Sequence, residues 1–144
     1  MANTTITSAN SVLILGADIF PVPIQIKGFA SDKAFAVESL DVAEVVMGVD
    51  GIQSAGYIPT SVKQTISLQA DSPSKLFFST LWNAMKSNKE VYYLSGTLTL
   101  PSTGEAFSLN RGILSTTQPF ASAQKTLQSM DFTISWESVT SAIL

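Results

Sequence analysis

The stretch SMDFTISWE at residues 129–137 alternates without a break: Met130, Phe132, Ile134 and Trp136 are apolar, while Ser129, Asp131, Thr133, Ser135 and Glu137 are polar. Successive side chains of a strand point to opposite faces, so this period of two reads as a half-buried β-strand. The same rule finds a strand over 62–70, with Val62, Ile66, Leu68 and Ala70 set against Lys63, Thr65, Ser67 and Gln69. Only Gln64 interrupts its apolar side. A third strand spans 94–100, where Leu94, Gly96, Leu98 and Leu100 alternate with Ser95, Thr97 and Thr99. The turn residues PSTGE at 101–105 send that strand back into 106–110 as a hairpin. Further strands are expected over 11–15, 22–29 and 35–46, and Pro21 and Pro23 put the second of these at a sheet edge or bulge.

One helix is expected among the strands, over about 73–87. Ser72 suits an N-cap, Pro73 the first helical position, and Asp71 the positive end of the helix dipole. Phe78, Leu81, Trp82 and Met85 recur at helical spacing as a single apolar stripe, which reads as a core face. Lys86 and Lys89 sit near the end, with Asn88 as the stop. The fold class that follows is mainly β: an antiparallel barrel or sandwich with one α-helix. No internal repeat, low-complexity tract or linker divides residues 1–144, so one domain is expected.

Composition narrows the function. Only 13% of the residues are charged, about half the usual quarter of a soluble domain. Hydroxyls carry most of the polarity, with 20 Ser and 14 Thr. A freely solvated domain keeps more charge on its surface, so part of this one is expected to meet other protein. A low-charge but monomeric β-domain is the plainer alternative. The 8 basic and 11 acidic residues give a net charge of −3 and are not clustered into a basic run, so a grip on nucleic-acid phosphates is not expected. The absence of Cys and His removes thiol nucleophiles, thiolate metal sites and the commonest general base. The apolar run at 12–15 is too short for a signal sequence or a membrane span. Asn3-Thr4-Thr5 has the form of a glycosylation acceptor, read as chance without a secretion signal.

Catalytic motifs are weak. Ser72-Pro73-Ser74-Lys75 fits S-x-x-K, but the companion motifs S-D-N and K-T-G are missing, with only Ser31-Asp32-Lys33 and Lys125-Thr126-Leu127 nearby in pattern. Helix capping explains Ser72 more simply. Glu38, Asp41 and Glu44 are close in sequence, yet on a strand Asp41 points away from the other two. The sequence predicts no enzyme, no cofactor and no metal site.

The segment MGVDGIQSAGYIPTSVKQTISLQADSPSK, from Met47 to Lys75, gathers turn residues before an alternating strand and a helix start. Gly48, Gly51 and Gly56 give it conformational freedom. Val46, Val49, Ile52, Tyr57 and Ile58 give it more apolar surface than a solvated loop needs. With Arg111-Gly112-Ile113-Leu114-Ser115 and the strand ending at Glu137, this order resembles the tail tube proteins of contractile-tail bacteriophages over about residues 35–137.

The resemblance implies a virion structural protein that forms hexameric rings, stacked into a tube through which the genome passes without specific binding. It implies an extended inter-subunit loop at 47–61 and, as partners, sheath, baseplate and tape-measure proteins, with no membrane insertion. Thr65, Ser67, Thr97, Thr99, Asp131 and Glu137 are the candidate lumen or polar-face residues. Two alternatives stay open: a β-sandwich binding or baseplate-associated module, with Tyr92, Tyr93 and Trp136 as candidate groove aromatics, and the inner tube of a related contractile injection system.

Overall fold

Strand β9 runs from Met130 to Ile143 and organises the sheet. Its Met130, Phe132, Ile134 and Trp136 are each at most 3% exposed, the side that the sequence alternation assigns to the core. The computed structural model describes residues 11–20, 22–30 and 34–143. Asn3, Pro21 and Ser31-Asp32-Lys33 therefore lie outside the described residues, as does most of the polar N-terminal stretch.

The other elements are β1 (Val12–Ala17), β2 (Ile24–Gln25), β3 (Phe35–Val37), β4 (Ala43–Met47), β5 (Gln53–Tyr57), β6 (Val62–Leu68), helix α1 (Lys75–Asn88), β7 (Leu94–Leu100) and β8 (Glu105–Thr116). Seven strands form one curled antiparallel half-barrel in the order β2-β1-β7-β8-β9-β6-β3. Strands β4 and β5 form a separate two-stranded sheet. Mainly β with one helix is the fold class expected from sequence.

The two edges of the half-barrel are held by one stretch of chain. β2 pairs with β1, whereas Phe29 bridges Leu68 and β3 pairs with β6. The expected strand over 22–29 is thus only two residues long before the chain crosses to the far edge. The expected strand over 35–46 is likewise split, because residues 38–42 leave the barrel and start a second ribbon. β8 is longer than the expected 106–110, and its inward phase changes between Leu109 and Gly112. Arg111, at φ 47°, takes up the change, and the β7–β8 register slips there by one residue, which is the signature of a bulge.

Helix α1 seals one end of the concave face. Phe78 stacks on Phe132 at 4.3 Å between ring centroids, and Phe77 stacks on Phe20 at 4.7 Å. Phe77, Phe78 and Leu81 are its buried residues. Trp82, from the expected stripe, is only half-buried and carries Lys86 Nζ over its ring.

The helix start corrects the sequence reading. Ser74, not Ser72, precedes the first helical residue, and its side chain makes no cap bond. Ser72 Oγ donates to the Lys27 carbonyl and accepts from the Ser74 N–H. It therefore ties the turn before α1 to the crossing segment between β2 and β3. Ser72→Ala would leave buried backbone groups without that partner, at a cost of about 1–3 kcal/mol. Urea unfolding of the variant should show that loss with an unchanged denaturant slope.

Candidate functional site

The segment expected as a loop at 47–61 is mostly a β-hairpin, and it begins earlier, at Ala43. Val46, Val49, Ile52, Tyr57 and Ile58 all fall on it. β4 and β5 pair from Ala43↔Tyr57 to Met47↔Gln53. At the tip, Asp50 Oδ1 accepts from Ile52 N, and the Gly48 carbonyl accepts from Gly51 N. Gly51 has φ +84°, a conformation that side-chain-bearing residues rarely take. The sequence missed this hairpin because Gly, Ser and Ala in QSAGY lack the β-branched signature of a strand.

The hairpin continues the barrel's β3–β6 ribbon outward. Past the β3–β6 pairing, Glu38 N donates to the Lys63 carbonyl, Thr60 Oγ1 to the Asp41 carbonyl, and Ile58 N to the Val42 carbonyl. These bonds carry the β3–β6 ribbon outward into β4 and β5. Every residue of both strands is exposed. Val45, Val46 and Met47 are 55–61% exposed, Tyr57 is 82% exposed, and Val49 and Ile52 stand free at the tip. Ile58 is half-buried at the root. Neighbouring residues of a strand face opposite ways, so Val45 and Val46 give both faces of the ribbon apolar surface.

A second surface is the outer face of the central strands. Thr65, Ser67, Thr97, Thr99, Asp131 and Glu137 all alternate out of phase with the core residues of their strands, which puts them on this face. Thr65 Oγ1 lies 3.2 Å from Thr133 Oγ1, and Ser67 Oγ donates to Asp131 Oδ1 at 2.6 Å. Ser67 is buried, Thr65 and Thr99 are half-buried, and Thr97, Asp131 and Glu137 are exposed. Glu137 pairs with Arg111 at 2.5 Å with both side chains more than half exposed, so the pair adds little stability. Across the sheet, Thr97 faces Ser108 and Ser108 faces Thr140, making a hydroxyl row without fixed charge.

A third surface was not read from the sequence. At the end of the concave face away from α1 lies a cavity of about 290 Å³, and its solvent-facing walls are apolar. Phe35, Val37, Val62, Leu100, Phe107 and Val139 line it. They come from five strands, and their convergence depends on register and curl, which alternation does not encode.

The aromatics considered for a binding groove do not converge. Trp136 is fully buried and donates from Nε1 to Gln64 Oε1 at 3.0 Å. Tyr92 accepts from Asn88 Nδ2, while Tyr93 lies under the Arg111 guanidinium at 4.2 Å. Ser72 and Lys75 do not form a nucleophile pair either, since Lys75 Nζ donates to the Ala70 carbonyl. Among the described residues no group of three acids could hold a metal ion, and no helix is long and apolar enough to cross a membrane.

No curated protein matches the sequence. Among solved structures, a chain of the anti-feeding prophage tube-terminating cap superposes with a TM-score of 0.66 at 15% identity, covering 100% of this chain and 95% of that one. A chain of the anti-feeding prophage baseplate gives 0.65 at 11% identity, covering 98% and 97%. A chain of the extended sheath–tube complex of an extracellular contractile injection system gives 0.63 at 14% identity, covering 97% and 93%. At such identities the likeness is one of fold. The family described as tail fiber protein gp32 matches residues 4–140, nearly the whole chain. Its description names a fiber where the sequence resemblance pointed to a tube. With that match and that fold, the chain is a structural protein of the phage-tail type and belongs to the tail fiber protein gp32 family.

Proposed function

We propose that this protein is the repeating subunit of a tail tube, assembling as hexameric rings that stack around a channel for the genome. One observation carries the reading: the ribbon at 43–57 projects from the barrel with aliphatic residues exposed on both faces. An isolated two-stranded hairpin is marginal in water, and a solvated one has no use for Val45, Val46, Met47, Val49 and Ile52 together. As an inter-subunit arm it gains a partner for each face. Sheath, baseplate and tape-measure proteins are the further partners this role requires, and a virion or tail-like particle is its location.

Native mass spectrometry and negative-stain microscopy of particle-derived or tube-assembled protein test the reading. Rings of six, or stacks of them, are expected. A strict monomer in that material would refute it.

A second reading has its own support, because cap and baseplate chains share the fold as fully as the sheath–tube chain does. A subunit of a single terminal ring would be present at one ring's worth of copies per particle. A tube subunit scales with tail length, so copy number separates the two. The inner tube of a related contractile injection system remains within the first reading.

The channel wall supplies a further expected result. We assign the hydroxyl-rich outer face of β6 to β9 to the lumen. Its fixed charges are Lys63 and Arg111 against Asp131 and Glu137, which cancel. Each phosphate held by a basic side chain adds salt-dependent affinity, so a wall that lets a polyanion slide must be neutral or negative. Counting ionisable side chains along the channel of the assembled tube checks this. A continuous ring of Lys or Arg there is the contrary outcome.

A further inference from the structure

We infer that the ribbon at 43–57 of one copy docks along the free edge of β9 in a second copy and roofs that copy's apolar cavity. The inference rests on the assembly role proposed above and names the surface that receives the arm.

The receiving edge follows from unequal strand lengths. β6 ends at Val62, opposite Trp136, while β9 continues to Ile143, paired among the described residues with β8 alone. Among the described residues, no backbone group on the β6 side of 138–143 has a hydrogen-bond partner. An open edge of this kind is a template for another strand. Its own residues do not blunt it: 138–143 reads SVTSAI, without Lys, Pro or any charge.

The cavity lies directly inside this edge, with Val139 of β9 and Val62 of β6 on its wall. A strand laid where β6 stops would continue the sheet and place alternate side chains over that opening. The arm has the matching properties. Its strands are five residues each against the six of 138–143. Its outer edges are unpaired among the described residues, and its only charges are Glu44 and Asp50, so nothing on the uncharged edge repels it.

The arm of the same copy does not serve. The three hydrogen bonds at its root hold it as an outward extension of β3 and β6, and folding back would break them. A second copy satisfies an edge and a ribbon that are unpaired among the described residues, together with an apolar cavity, in one contact, whereas a foreign strand would leave the ribbon exposed.

The chain has no cysteine, so single introduced thiols report without background. Val45→Cys on the arm and Ser141→Cys on β9 both replace exposed residues. The two variants, one carrying a tag that sets it apart by mass, are mixed, assembled and treated with a short bismaleimide. The expected product is the heterodimer, well above either homodimer and above the Val45→Cys with Ser87→Cys control on α1. In parallel, Val139→Asp should lower self-association at least about tenfold, as loss of a central apolar contact does. Should Val139→Asp not fold, the cross-link alone decides. Assembly without the heterodimer, or a folded Val139→Asp that assembles like the parent, overturns the docking and leaves the ring reading intact. A parent protein that never self-associates overturns both.

Discussion

Replacing residues 43–57 by a short Gly-Ser link is expected to leave the barrel folded and to abolish assembly. No residue of that ribbon belongs to the buried core, which is drawn from β1, β6 to β9, α1 and the crossing segment. The far-ultraviolet spectrum and the urea midpoint of the excised protein should therefore stay close to those of the parent. The root must be cut cleanly. Removing Ile52 to Tyr57 alone would delete β5 and strand β4 as an unpaired aliphatic segment, a new aggregation hazard. Truncating even one hot-spot residue of an interface costs about 2 kcal/mol or more, so losing the whole arm should weaken association at least about a hundredfold. Sedimentation velocity reads the assembly state directly. If rings or tubes grow at the parental rate, the arm has no part in assembly.

The legible part of this fold is the part governed by local periodicity. Met130 to Trp136, Val62 to Leu68 and Leu94 to Leu100 each announce a strand and its buried face, because one side faces the core and the other faces out. The helix was legible from its stripe, although Ser72 was misread: a serine that fits a cap pattern bonds instead to Lys27 across the chain. Such a bond spans 45 positions and leaves no local trace. The hairpin at 43–57 was legible as an apolar outlier, and β4 lay largely within the expected strand over 35–46, but β5 was not read as a strand, since a ribbon exposed on both faces has no inside to impose alternation. The cavity was invisible for a related reason. Phe35, Leu100 and Phe107 lie on three different strands, and their convergence on one cavity depends on sheet curl and on where the strands stop.

Truncating Trp136 should produce the largest stability loss of any single change in the chain. It is the bulkiest fully buried side chain, and core Trp→Ala substitutions cost about 3–5 kcal/mol, a large share of the roughly 5–15 kcal/mol that holds a domain together. Two local features add to the size of the effect. Its Nε1 satisfies the buried Gln64 Oε1, so even Trp136→Phe should cost about 1–3 kcal/mol by orphaning that amide. Its ring also rests on Gly112, where a Cβ would lie 2.4 Å from Cε3; only glycine leaves the ring its place. Gly112→Ala should therefore destabilise the parent by about 1–3 kcal/mol through overpacking. The two effects must be coupled, because the two tightest contacts disappear once the ring is gone and only Ile134 Cγ2, at 2.9 Å, still crowds a Cβ there. In the Trp136→Ala background, Gly112→Ala should cost clearly less than in the parent, a non-additivity that urea unfolding of the four proteins measures. Trp82 is the only other tryptophan, and its half-exposed ring keeps fluorescence available as a probe in both Trp136 variants. Equal cost of Gly112→Ala in both backgrounds would mean that the Ile134 methyl, and not the Trp136 ring, sets the demand for glycine beside the β8 bulge.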